Sequence, residues 1–99
     1  MDRAELAGLV LTSLKEVVEA ADGKLNGAGE QTPLIGTGAV LDSMRLVSLI
    51  VDVEQRLEEG YGIGVTIADE RAMSAKRSPF RTVGSLVDYL QSLVAEARS

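Results

Sequence analysis

The sequence predicts an all-α fold, a small bundle of three longer helices and one short helix, and three observations predict it. Apolar residues recur at spacings of three and four in three separate segments. The core material is aliphatic: 45% of the residues are hydrophobic, yet Phe80, Tyr61 and Tyr89 are the only aromatics. Finally, Gly, Asn and Pro cluster between the periodic segments, and no segment carries a convincing strand pattern or an internal repeat. Ninety-nine residues make one domain, 1–99. Folding at this length buries somewhat over ~60% of the surface of the unfolded chain, enough for a single modest core.

The first helix is expected over residues 3–21. Leu6, Val10, Leu14, Val17 and Ala21 form its stripe and Leu9 and Val18 broaden it, while Glu5, Lys15, Glu16 and Glu19 fall on other faces. It stops in "DGKLNGAGEQT", where Gly23, Asn26, Gly27 and Gly29 favour turns. A long loop then runs to about residue 41, anchored by Leu34, Ile35 and Val40. The second helix begins at Asp42 or Ser43 and reaches about Glu59. Leu46, Ile50, Val53 and Leu57 make its stripe, Val47, Leu49 and Val51 widen it, and Ser48, Asp52, Gln55, Arg56 and Glu58 are left for solvent. Gly60 is placed to end it in a left-handed conformation.

A short helix is expected over 70–75, capped by Asp69, with Ala72, Met73 and Ile67 inward. "KRSP" breaks it, because Pro79 disfavours helical geometry at Ser78. Thr82 then caps a last helix, 83–96, on the stripe Val83, Leu86, Val87, Leu90, Leu93 and Val94.

Composition removes several function classes. Without cysteine there is no disulfide framework and no thiolate metal site. Without histidine, Ser-His-Asp and Cys-His catalysis are excluded, so an autonomous enzyme is not expected. Charged residues interrupt the first apolar segment, "MDRAELAGLVLTSLKEVVEA", which therefore offers neither a signal-peptide core nor a membrane span; a cytoplasmic protein is expected. A net charge of −5 argues against nucleic-acid binding, which requires phosphates to be neutralised by Lys and Arg. It favours docking onto basic protein surfaces.

Most local motifs have simple readings. The paired glycines of "NGAGEQT" and "IGTGAV" lack the strand and the GK[ST] continuation of phosphate loops. "DVEQRLEEGYG" spaces its acids like a calcium loop, but Leu57 replaces the required glycine. Met44, Leu46, Val51 and Met73 read as core and core rim in preference to a partner surface. Arg71, Lys76, Arg77 and Arg81 form a local basic cluster whose simplest reading is a solvated loop.

Ser43 in "LIGTGAVLDSMRLVSLI" is different. As a plain cap it would only satisfy N–H groups of the first turn. If Asp42 caps, however, the Ser43 hydroxyl is free for attachment, and the positive end of the helix dipole suits a phosphodiester.

The whole pattern resembles the acyl carrier protein family. That family marks its attachment site with Asp-Ser-Leu at the start of the second helix, where this chain has Asp42, Ser43 and Met44. "RLVSLIVDVEQRLEEGYGI" looks like its recognition helix, and Thr82, Val83, Leu86 and Tyr89 resemble its Thr-Val-x-x-Leu-x-x-Tyr approach to the last helix. The resemblance implies a four-helix bundle that is not itself an enzyme. Ser43 would bear a 4'-phosphopantetheine arm from coenzyme A, installed by a phosphopantetheinyl transferase, while Asp42 orients the helix start and Met44 forms an apolar rim. It further implies a monomer that meets a loading ligase and synthase or acyltransferase enzymes of fatty-acid, polyketide or other specialised acyl metabolism. Met73 and the helix-two residues Arg45, Ser48, Asp52 and Glu54 would then face these partners.

The departures matter too. Carriers for fatty-acid synthesis place acids just after the modified serine, whereas this chain has Arg45 and Ser48 there, and its acids Asp52, Glu54, Glu58 and Glu59 come later. That favours a specialised carrier. Met after the serine is also similar to the D-alanyl carrier proteins, so an aminoacyl cargo stays open. A cargo cavity under the second helix would be lined by Val47, Ile50 and Met73. The alternative of another class is a small helical interaction module in which Ser43 only caps.

Overall fold

Among the residues that the computed structural model describes, 2–20, 28–35, 41–67 and 80–98, three short polar side chains, each just ahead of an apolar run, start three helices. The helices are α1 (Arg3–Ala20), α2 (Ser43–Tyr61) and α3 (Val83–Arg98), and the described residues contain no strand. Asp2 opens α1, its carboxylate accepting from the Glu5 N–H at 2.8 Å. Asp42 opens α2. Thr82 opens α3 through a reciprocal cap: its hydroxyl accepts from the Ser85 N–H at 3.1 Å, and the Ser85 hydroxyl accepts from the Thr82 N–H at 2.9 Å. The short helix expected over 70–75, with Asp69, Met73 and the basic residues Arg71, Lys76 and Arg77, lies outside the described residues, as do Ala21 and Val40.

The end of α2 corrects an expectation. Gly60 stays inside the helix, and Gly62 takes the left-handed conformation at φ 67° and ψ 24°. Its N–H donates to the Glu58 carbonyl at 3.0 Å, and the Ile63 N–H donates to the Leu57 carbonyl at 3.0 Å. Burial of the next segment decides the extra half-turn: stopping at Gly62 aims Ile63 and Ile67 into the core, where both are buried. Gaining two buried isoleucines, at roughly 1.5–3 kcal/mol each, outweighs about 1 kcal/mol for a glycine inside a helix.

α1 is the central element and packs against both α2 and α3. Leu6, Val10, Leu14 and Val18 are buried along it, whereas Val17, expected in the stripe, is half-buried. A straight spacing of four follows the ridge that fits a neighbour's groove, which is why the buried set runs to Val18. Leu49, Val53 and Leu57 of α2 and Val83, Leu86, Val87 and Leu90 of α3 are fully buried in the same cluster, joined by Leu34, Leu41, Ile63, Ile67 and Phe80 from the connecting segments. A radius of gyration of 12.6 Å matches the ~13 Å of a compact domain of this length. One polar atom in this core, the Ser13 hydroxyl oxygen, is fully buried with no hydrogen-bond partner among the described residues.

The glycine-bearing loop does not hang free at residues 29–34. The Leu34 N–H donates to the Arg81 carbonyl at 2.9 Å, the Val83 N–H to the Thr32 carbonyl at 3.0 Å, and the Gly84 N–H to the Glu30 carbonyl at 2.7 Å. An isolated antiparallel bridge between Pro33 and Thr82 fixes the register. The loop therefore satisfies donors that the first turn of α3 leaves open. Gly84 suits that seam, because a Cβ there would crowd the Glu30 carbonyl oxygen at 3.0 Å. Arg3 clamps the same corner: its guanidinium bonds Glu30 and Asp88 and donates to the Gln91 side-chain carbonyl at 2.9 Å. These contacts, the hydrogen bond to Glu30 first, hold the Arg3 guanidinium above its ordinary pKa.

Candidate functional site

The start of α2 is built around Asp42. Its backbone is extended at φ −89° and ψ 179°, its carbonyl accepts the Leu46 N–H at 2.9 Å, and its carboxylate accepts the Arg45 N–H at 2.8 Å. Asp42 is therefore the N-cap and Ser43 the first helical residue. Neighbours on both sides are at the surface: Asp42 is exposed, and Met44 is 81% exposed. Arg45 puts a cation in the first turn, where the helix dipole disfavours it, and Asp42 offsets this through an ion pair at 3.6 Å.

Along the outward face of α2 the sequence reading of a core or core rim is overturned for two residues. Met44 and Val51 are surface residues, Val51 being 47% exposed, and Leu46 alone of the three described packs against the core. Val47, expected to line a cargo cavity, is 58% exposed, while Ile50 is buried. The periodicity assigns these positions to a face correctly, but α1 covers only part of so broad a stripe. Ser48 is exposed and its hydroxyl donates back to the Met44 carbonyl at 3.3 Å.

Two acids expected to meet partners have partners within the chain. Asp52 accepts from the Arg56 Nε at 2.7 Å, and Arg56 also pairs with Glu16 of α1. This three-membered network, half-buried at Asp52 and Arg56, pins α2 to α1. Glu54 accepts from the Ile67 N–H at 3.3 Å and so holds the segment after α2. Glu58 and Glu59 are exposed in the last turns. Met73 lies outside the described residues.

An open groove of about 310 Å³ runs between α1 and α2 beside this site, with Arg45, Ser48 and Asp52 on one wall and Glu16, Val17 and Ala20 on the other. A larger hollow, about 650 Å³, lies toward the other end of that antiparallel pair, between Leu9 and Tyr61. The structure thus brings together Asp42, Ser43, Met44, Arg45 and Ser48 in the first turns of α2. Asp52 and Glu54 sit further along, on opposite flanks. The sequence reading missed Glu16, whose tie to Arg56 crosses between helices. Among the described residues no group of acids is placed to hold a metal ion, and no helix is long and apolar enough to cross a membrane.

Comparison with protein-family models, with curated proteins and with solved structures finds no match to this chain.

Proposed function

We propose that this chain is an acyl carrier protein, holding its cargo on a 4'-phosphopantetheine arm attached to Ser43. The observation that carries the reading is the division of labour at the start of α2. Asp42 supplies the cap, and Ser43, in the Asp-Ser-Met triplet, is the first helical residue, between two exposed neighbours. Exposed neighbours on either side give an arm room to leave the helix, and the helix dipole favours a phosphodiester there. Loading would join the Ser43 hydroxyl oxygen to the phosphorus next to the pantetheine of coenzyme A. The pyrophosphate bond breaks, and adenosine 3',5'-bisphosphate leaves.

The arm, once bound, supplies a terminal thiol that holds an acyl group as a thioester, chemistry that a chain without Cys or His cannot provide itself. The protein's residues anchor and present it. Asp42 fixes the start of α2 and the Arg56 network fixes α2 on α1, so the root of the arm is held on a rigid element. The short helix expected over 70–75 completes a four-helix bundle in this reading.

The test is direct. With coenzyme A and a broad-specificity phosphopantetheinyl transferase, intact mass should show one phosphopantetheinyl addition on the wild type and none on Ser43→Ala. No addition to the wild type, or equal addition to both, rejects the reading. An aminoacyl cargo is the second reading, favoured by Met44 after the serine. Release of an amino acid hydroxamate by hydroxylamine from protein loaded in cells distinguishes it from a fatty-acyl load.

A further inference from the structure

Midway along α2, the charged groups that would serve electrostatic docking are engaged inside the molecule, while the exposed Glu58 and Glu59 come only in its last turns. Asp52 is bound to Arg56, Arg56 to Glu16, and Glu54 to the Ile67 N–H. What α2 turns outward between Met44 and Gln55 is uncharged along one line. At 3.6 residues per turn, Met44, Val47, Ser48, Val51 and Gln55 all fall within about 60° of one direction. All five are exposed. The first charge on that line is Glu58, about 22 Å along the axis from Ser43. Three of the five are apolar, at 81%, 58% and 47% exposure, in a chain of net charge −5.

The geometry points to this stripe as the docking surface of the enzymes that act at Ser43, and to a partner surface that is itself apolar and uncharged beside its active-site entrance. The inference rests on the carrier reading. Charge complementarity selects the occupant. A basic partner surface laid on this face would desolvate its cations without meeting an acid over three turns, and it would meet Arg45 on the flank. An apolar surface instead takes Met44, Val47 and Val51 out of water. Met44 begins the stripe next to Ser43, so the same contact brings the root of the arm to the partner's entrance. Five residues are far fewer than the roughly 20–30 a side of a stable complex, which suits a contact that must be released after each transfer.

The experiment measures kcat/KM for phosphopantetheinylation by a broad-specificity transferase, at low and high salt, on wild type, Val51→Asp and Val47→Asp. Circular dichroism on each variant checks the helical fold, which exposed positions should keep. The expected result is a loss of about tenfold or more for each aspartate variant, the scale of one apolar side chain left unburied, with a wild-type rate that changes less than about twofold with salt. Variants that load as well as wild type overturn the inference, as does a wild-type rate that falls by an order of magnitude with salt. A wild-type dimer released by Val51→Asp also overturns it and assigns the stripe to a second copy. Wild type that gains no phosphopantetheinyl mass instead overturns the carrier reading beneath it, a separately recognisable result.

Discussion

The Asp42 carboxylate accepts the backbone N–H of Arg45 at 2.8 Å, which separates the cap of α2 from the serine beside it. Asp42→Ala should therefore cost about 1 kcal/mol of unfolding free energy, the usual worth of a cap. Ser43→Ala should stay within about 0.5 kcal/mol of wild type. Urea denaturation of the two variants checks the pair; an equal loss would mean that both side chains cap.

The two glycines at the end of α2 should respond with opposite signs. Gly60 is helical with open space around a would-be Cβ, so Gly60→Ala should stabilise by up to about 1 kcal/mol. Gly62 holds φ 67°, where a Cβ is strained, and Gly62→Ala should cost about 1–2 kcal/mol. Thermal unfolding of both variants side by side reads the signs directly.

Gly84→Ala drives a methyl against the Glu30 carbonyl oxygen, a backbone atom that is also hydrogen-bonded to the Gly84 N–H at 2.7 Å. The gain in helix propensity near a helix start is small beside an overpacking cost of about 1–3 kcal/mol. A net loss of stability is expected, with faster amide exchange at Val83 and Gly84 than in wild type.

Ser13 buries a hydroxyl without a partner among the described residues. Ser13→Ala removes a desolvated polar atom and raises helix propensity, so it should stabilise by about 1 kcal/mol or more. A higher denaturant midpoint with an unchanged slope is the expected record.

Much of the fold was legible because it is local. Three periodic stripes and the residues Asp42 and Thr82 located the helices to within two residues, since periodicity and capping act over a few positions. What escaped depends on distant neighbours. Periodicity put Met44, Val47 and Val51 on broad faces but could not say how far α1 would reach around α2. Choosing Gly62 over Gly60 required knowing that Ile63 and Ile67 are buried. Likewise Glu54 and Asp52 read as free acids until the partners from Ile67 and α1 were in place. At the candidate site, the Asp-Ser junction was visible in the residues themselves, whereas the character of the surface beside it was not.

The seam between residues 30–34 and the start of α3 adds a second long-range closure step to the one that brings α3 onto α1. Val83 and Gly84 find their acceptors in Thr32 and Glu30, about fifty residues earlier in the chain. The last helix can nucleate on its own stripe, but its first turn is completed only when half of the polypeptide has been drawn into a loop, and that entropy is spent before the bonds form. Refolding of this small helical protein should accordingly be limited by these closures more than by any single helix.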